Sequence, residues 1–90
     1  MAWKIEFSDS AERELDKLDP QISRRILEYL QKRLAKQDNP RNLGAALKGS
    51  KPGMFWKYRV GDYRIIVSIE DKIMRILVVR IGNRRDVYRK

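Results

Sequence analysis

Apolar and polar side chains alternate on both sides of a Gly61-Asp62 step near the middle of the chain. Glycine in the first position of a two-residue loop is typical of a type II′ turn, so this pattern predicts a β-hairpin. The predicted cross-strand pairs are Val60 with Tyr63, Arg59 with Arg64, Tyr58 with Ile65, Lys57 with Ile66 and Trp56 with Val67. Because side chains alternate between the faces of a strand, one face is apolar and the other carries Lys57, Arg59 and Arg64.

The predicted pairing of Arg59 with Arg64 places two like charges directly opposite each other. Such a pair costs some tenths of a kcal/mol relative to neutral neighbours. Two interpretations fit it: a solvated outer face of a sheet, on which Lys and Arg are common, or a surface that binds an anion. The hairpin by itself does not favour either one.

Hydrophobic periodicity predicts the remaining elements. Residues 3–7 alternate as a short strand. Ser8, Asp9 and Ser10 then offer N-cap oxygens for a short helix, in which Ala11, Leu15 and Leu18 recur with helical spacing. An Asp19-Pro20 start signal opens a second helix that extends to about residue 36. Residues 73–81 are apolar at both odd- and even-numbered positions, which is typical of a central strand covered on both faces. The pattern does not determine which of these side chains point inward.

Together these elements predict a single small α+β domain that spans residues 1–90. Its order is an N-terminal strand, an antiparallel helix hairpin, a Gly- and Pro-containing connection and a three-stranded antiparallel meander. The apolar stripes of the helices need a sheet to cover them, so we expect both helices on one face of the sheet. Ninety residues suffice for one modest core and not for two.

Charge is distributed unevenly along the chain. The formal net charge is +9. Residues 1–47 hold nine basic and eight acidic side chains, whereas residues 48–90 hold twelve basic and four acidic ones. A strongly basic half is the electrostatic footprint expected for a polyanionic partner. The charge therefore favours nucleic acid or a nucleoprotein particle over a generically basic protein.

The absence of two residue types limits the kinds of catalytic and metal sites that the chain can form. The chain has no His and no Cys, which excludes Ser-His-Asp triads, His general bases, disulfides and thiolate metal sites. We expect no cofactor and no metal, so that any reaction must use Lys, Arg, Tyr, Asp or Glu. The sequence contains neither an apolar run of transmembrane length nor a signal-peptide pattern, and the expected location is the cytoplasm, without a membrane partner.

Two stretches resemble the RelE/ParE superfamily of toxins from type II toxin-antitoxin systems. They are residues 56–66, WKYRVGDYRII, and residues 79–88, VRIGNRRDVY, and the Leu47-Lys48-Gly49 step before the hairpin matches as well. The RelE branch contains ribosome-dependent endoribonucleases that cleave mRNA in the ribosomal A site. The resemblance therefore implies a RelE-like fold, inhibition of translation and a metal-independent nuclease in which the 2′-OH attacks the adjacent phosphate.

Position by position, the resemblance implies a catalytic set without His. Its members are Lys57, Arg59, Arg64, Arg84 and Tyr88. Further basic side chains are candidate contacts to RNA or the ribosome: Lys48, Lys51, Arg80, Arg85 and Arg89. Arginine suits the transition state because it stays charged and binds phosphate oxygens bidentately.

One position departs from the family pattern. Well-known RelE members have Lys where this chain has Arg59, and a guanidinium does not readily release a proton near pH 7. The resemblance therefore implies that Arg59 binds phosphate. Lys57 is then the leading candidate for general base or acid, and Tyr88 either stacks on a base or shares in proton transfer.

The resemblance also implies partners and leaves two alternatives. The partners would be a cognate RelB-like antitoxin with an acidic helical segment, the ribosome with its mRNA, and operator DNA only through the antitoxin complex. The first alternative is a ParE-like inhibitor of DNA gyrase, which shares the fold. The second is a non-catalytic nucleic-acid-binding module, whose affinity would fall steeply with salt.

Overall fold

The computed structural model describes residues 2–47 and 55–83, which form two helices and one five-stranded sheet. In chain order the elements are β1 (Lys4–Phe7), α1 (Asp9–Asp16), α2 (Pro20–Glu28), a π-helical turn (Tyr29–Leu34), a 3₁₀ turn (Pro40–Leu43), β2 (Ala45–Ala46), β3 (Trp56–Val60), β4 (Tyr63–Glu70), a second 3₁₀ turn (Asp71–Ile73) and β5 (Arg75–Asn83). The sheet order is β1-β5-β4-β3-β2, with β1 parallel to β5 and the other neighbours antiparallel. The predicted α+β fold is confirmed.

Both helices begin where the sequence predicts. Ser8 caps α1, because its Oγ accepts a hydrogen bond from the Ala11 N–H at 3.1 Å. Asp19 caps α2 by accepting from the Gln21 N–H at 2.9 Å, and Pro20 occupies the first helical position. These side-chain oxygens satisfy backbone donors that lack partners within the helix.

The second helix ends in a wider turn that the periodicity does not predict. After α2 the chain continues as the π-helical turn, in which the Ala35 N–H donates to the Leu30 carbonyl at 2.8 Å. Ile26, Leu30 and Leu34 are fully buried along this continuous element. Their four-residue spacing is compatible with an α-helix throughout, so hydrophobicity alone does not reveal the change of hydrogen bonding.

The core lies between the helices and one face of the sheet. The hairpin register of β3 and β4 agrees with the sequence prediction at all five pairs. Tyr58, Ile65 and Val67 are buried in the core cluster together with Ala11 and Ile26. The Tyr58 hydroxyl donates to the Pro40 carbonyl at 2.7 Å, and burial raises the pKa of this phenol. The predicted apolar face of the hairpin is therefore the core face.

A β-bulge explains why β5 sends side chains from both odd- and even-numbered positions into the core. The register between β4 and β5 shifts between Ile66 and Val67, so that Ile81 and Val78 both point into the core although they are three residues apart. Leu77 and Arg80 face the other side. The strand is central, as expected. The extra residue of β5 at the bulge explains why core side chains occur at both odd- and even-numbered positions.

A short edge strand that the sequence does not predict extends the sheet beyond β3. Ala45 pairs with Lys57 and Ala46 with Trp56. Gly44 permits this approach, because a Cβ at its position would lie 2.6 Å from the Lys57 carbonyl oxygen and 2.6 Å from the Tyr58 ring. Within the described part of the chain, no helix is long and apolar enough to cross a membrane.

Candidate nucleic-acid interface

The Gly61-Asp62 turn sets the geometry of the candidate interface. Gly61 has a φ of 59°, which glycine adopts at little cost. Met74 is the one non-glycine residue with positive φ among those described, so the second turn residue has an ordinary φ, as a type II′ turn requires. This turn fixes which side chains of β3 and β4 share a face.

Two adjacent rows of side chains cross the outer face of the sheet, the face turned away from the core. One row runs from Arg59 through Arg64 to Gly82, and the other runs from Lys57 through Ile66 to Arg80. Neighbouring strands lie about 4.8 Å apart. The four basic side chains of the two rows therefore form a compact group: Lys57, Arg59, Arg64 and Arg80. The sequence prediction that Lys57, Arg59 and Arg64 share a face is confirmed by this register.

Burial differs between the members of these rows. Arg59 is exposed, whereas Lys57 and Arg64 are half-buried. The Nε atom of Arg64 has no solvent access. Ile66 is only 4% exposed although it lies outside the core cluster, and its partners in the row are Lys57 and Arg80. The centre of the face is therefore a tightly covered apolar spot surrounded by positive charge.

Arg80 is held at the side of this group by an acid from α1. Its Nε lies 3.4 Å from Glu14 Oε2, and Glu14 Oε1 accepts the backbone N–H of Ile81 at 2.8 Å. The pairing of β1 with β5 ends at Val78. Glu14 therefore accepts the hydrogen bond of a β5 backbone N–H, that of Ile81, which β1 does not reach. Sequence reasoning missed Glu14, because its spacing on α1 gives no indication of a contact 67 residues away.

Acidic side chains offset part of the positive charge at the other end of the described outer face. At the other end of β5, Arg75 donates to Glu6 Oε1 at 2.8 Å and to Glu70 Oε1 at 2.7 Å. These two carboxylates offset its charge. Among the described residues, the outer face therefore carries more net positive charge on the hairpin side, around Arg59, than around Arg75.

Four of the ten predicted site residues lie in the part of the chain that the structure describes, and six do not. Lys57, Arg59, Arg64 and Arg80 lie on one face, and the others are outside the described residues: Lys48, Lys51, Arg84, Arg85, Tyr88 and Arg89. In the described ranges, no group of three His, Cys, Asp or Glu side chains is arranged to hold a metal ion. The described side chains can bind phosphate through guanidinium and ammonium groups.

Comparison with known proteins identifies one family over nearly the whole chain. The model of the ParE toxin family, described as the ParE toxin of type II toxin-antitoxin system, parDE, matches residues 5–88. Toxin RelG of Mycobacterium tuberculosis is 30% identical over 90 residues, which is all of both chains.

Two solved structures share the fold. One is the RelBE2 toxin-antitoxin complex of Mycobacterium tuberculosis, with a TM-score of 0.82, 24% identity and coverage of 92% of both chains. The other is the intact E. coli RelBE toxin-antitoxin complex, with a TM-score of 0.70, 19% identity and coverage of 91% of this chain and 96% of that one.

Proposed function

The chain belongs to the ParE toxin family, within the RelE/ParE superfamily of type II toxins, and we propose that it is a ribosome-dependent endoribonuclease that cleaves mRNA in the ribosomal A site. The observation that carries this proposal is the grouping of Lys57, Arg59 and Arg64 on one outer face of the sheet. Cations on a rigid sheet are preorganised for a phosphate, which is where they contribute most to catalysis. The proposed site of action is the cytoplasm.

The proposed reaction is attack of an RNA 2′-OH on the adjacent phosphate. The new O–P bond forms as the bond to the 5′-oxygen breaks, which leaves a 2′,3′-cyclic phosphate and a 5′-OH. The 2′-OH must lose a proton and the leaving oxygen must gain one, while the phosphorane-like transition state carries extra negative charge. The reaction therefore needs a base, an acid and cations, and it needs no metal.

We assign the binding of phosphate and the stabilisation of negative charge to arginine side chains, and proton transfer to other side chains. We assign transition-state stabilisation to Arg64 and Arg84, and phosphate binding to Arg59. Lys57 is the proposed general base or acid, because lysine can release its proton where arginine cannot. Tyr88 orients a base by stacking or shares in proton transfer. Lys48, Lys51, Arg80, Arg85 and Arg89 are proposed contacts to RNA or the ribosome.

The partner of this toxin is proposed to be a RelB-like antitoxin. The two structural neighbours named above are toxin-antitoxin complexes. A basic surface that acts on RNA can be neutralised by an acidic segment of a partner protein. Binding to operator DNA is proposed only for the toxin-antitoxin complex.

A ParE-like inhibitor of DNA gyrase is the second candidate. The observation in its favour is the family model itself, which is that of a ParE toxin. The grouped cations of the outer face favour the nuclease, because they are suited to a phosphate. The two candidates also differ in cells: damage to DNA induces the SOS response, whereas cleavage of mRNA stops translation first.

The deciding experiment is expression of the chain without an antitoxin, followed by cleavage assays on programmed ribosomes. We expect growth arrest with an immediate fall in protein synthesis, and cuts in A-site codons by the wild type. Single alanine variants of Lys57, Arg84 and Tyr88 should cut more slowly. Harmless expression at a high level, or SOS induction before translation stops, would contradict the proposal.

Replacing Glu14 by Gln is expected to strengthen binding of RNA. The amide oxygen of Gln can still accept the Ile81 N–H, but it no longer offsets the charge of Arg80. One additional phosphate contact should make the slope of log K against log salt steeper by about 0.7 for a single strand. Fluorescence anisotropy with a labelled RNA oligonucleotide at several salt concentrations measures that slope.

Glu12→Gln is the matched control for this prediction. Glu12 is an exposed residue of the same helix, and its replacement changes the net charge by the same amount. An equal change of slope in both variants would show that net charge, and not the release of Arg80, explains the result.

A further inference from the structure

Helix α1 takes the place of a neighbouring strand along the last part of β5. Strand β1 extends along β5 only as far as Val78, whose carbonyl accepts the Ser8 N–H at 2.9 Å. Beyond that point two side chains bind the backbone of β5. The Ser8 hydroxyl donates to the Val79 carbonyl at 3.3 Å, and Glu14 Oε1 accepts the Ile81 N–H at 2.8 Å. The N-cap and the second turn of α1 therefore hold the strand where β1 has ended.

Close packing of α1 against β5 brings these side chains within reach of the strand. Ser8, Ala11 and Glu14 are spaced by three residues, which places them on one side of the helix. Ala11 is fully buried in the core cluster that also contains Val78 and Ile81. Its small side chain allows the helix to approach the strand closely. The contact from Glu14 to β5 is therefore set by the packing of the core.

The hydrogen bond to the backbone is the stronger of the two contacts that Glu14 makes. Its Oε1 lies 2.8 Å from the Ile81 nitrogen, whereas its Oε2 lies 3.4 Å from Arg80 Nε. The Arg80 side chain is 52% exposed, and an exposed ion pair contributes little to stability. A carboxylate that accepts a backbone N–H forms a charge-assisted bond, roughly twice as strong as a neutral one. We therefore expect the main effect of Glu14 on the backbone of β5.

The part of β5 held by Glu14 completes the outer face. Arg80 lies at the end of one row of that face and Gly82 at the end of the other. Ile81 lies between them, and its side chain is buried in the core. Backbone near the end of an element opens readily when its hydrogen bonds are lost. The contact from Glu14 therefore limits movement of the strand at both rows, just before the proposed catalytic Arg84 in the sequence.

We propose that Glu14 is a positioning residue of this toxin, which fixes the C-terminal end of β5, and with it Arg80, at the side of the outer face that binds RNA. The inference rests on the proposed function in that the polyanion is taken to be RNA. In this role Glu14 acts through the backbone of β5 and takes no part in the chemistry. Its charge opposes RNA binding beside Arg80, whereas its hydrogen bond to Ile81 favours it.

Two replacements of Glu14 separate these opposing effects. Glutamine and alanine remove the same negative charge. The amide oxygen of glutamine can still accept the Ile81 N–H, whereas alanine has no acceptor. Alanine is also the best helix former, so α1 is not weakened by the change. The difference between Glu14→Ala and Glu14→Gln therefore measures the hydrogen bond at constant net charge.

The test compares three properties of these variants and of the wild-type chain. Hydrogen exchange of the Ile81 amide, followed by NMR, reports on the end of β5, and the Ile65 amide of β4 is the internal reference. Fluorescence anisotropy with a labelled RNA oligonucleotide gives the affinity and its salt slope. Single-turnover cleavage on programmed ribosomes gives the rate. The control variant is Glu12→Ala, because Glu12 is an exposed residue of the same helix.

We expect the Ile81 amide to exchange at least about tenfold faster in Glu14→Ala than in Glu14→Gln, with equal exchange of the Ile65 amide. Both variants should show the same salt slope, because their charges are equal. The alanine variant should bind RNA about three- to tenfold more weakly than the glutamine variant, and it should cleave more slowly by roughly tenfold or more. Glu12→Ala should match the wild type in amide exchange and cleavage rate.

Several outcomes would overturn the inference. Equal exchange of the Ile81 amide in the two Glu14 variants would show that the hydrogen bond does not hold the strand. Faster exchange with equal RNA affinity would show that the position of the strand does not matter for binding. Faster exchange of both amides would assign the effect to the stability of the whole domain. Absence of cleavage by the wild type would contradict the proposed function alone, because exchange and affinity test the role of Glu14 without cleavage.

Discussion

Replacing Arg64 by Ala is expected to slow mRNA cleavage on programmed ribosomes by roughly 100- to 1000-fold, the usual effect of removing one preorganised stabiliser of transition-state charge. Arg64 lies on β4, between Arg59 of β3 and Gly82 of β5, and its Nε is shielded from solvent. A guanidinium held in this way is positioned before substrate binds. The measurement is the single-turnover rate of cleavage at one A-site codon.

Two further variants separate charge from geometry. Arg64→Lys keeps the positive charge and loses the bidentate fork, so we expect a rate between those of the wild type and the alanine variant. Arg24→Ala removes an exposed arginine from α2 and should cleave at nearly the wild-type rate. Cleavage by Arg64→Ala within about threefold of the wild type, far from the loss expected for such a stabiliser, would remove Arg64 from the proposed site.

Replacing Ile65 by Ala is expected to lower the free energy of unfolding by about 2–5 kcal/mol. Ile65 is fully buried in the core cluster, and its truncation loses apolar burial and leaves a cavity that the surrounding side chains fill only in part. In a domain of this size each kcal/mol corresponds to roughly 4–8 °C in melting temperature. Thermal and chemical denaturation followed by circular dichroism measure both quantities.

Ile73→Ala is the matched control, because it is the same chemical change at a residue that is 61% exposed. We expect its effect to stay within about 0.5 kcal/mol. A similar loss of stability in both variants would mean that the core lies elsewhere than between the helices and the inner face of the sheet.

Arg64 and Ile65 are adjacent in sequence, and their predicted phenotypes are opposite. The Arg64 variant should lose activity and keep its stability, whereas the Ile65 variant should lose stability. This difference follows from the alternation of side chains across a strand, which sends one residue to the outer face and the next to the core. The sequence predicts this division because the turn at Gly61-Asp62 fixes the register.

Local interactions are what the sequence determined by itself. The type II′ turn, the N-caps at Ser8 and Asp19 and the alternation along β3 and β4 depend on residues a few positions apart. Each is a short-range preference with a recognisable residue type, such as Gly for positive φ or Ser and Asp for capping. These preferences sufficed for the fold class, the core face of the hairpin and the grouping of Lys57, Arg59 and Arg64.

Features that join distant segments were decided only by the tertiary structure. The bulge in β5 depends on how that strand pairs with β4, and the contact from Glu14 to Arg80 joins residues 66 positions apart. The packing of α2 against the hairpin turn, where Arg25 lies beside Gly61, is likewise not encoded by hydrophobic periodicity. Such features depend on packing and strand register across the whole domain, and a one-residue shift would reverse the faces involved.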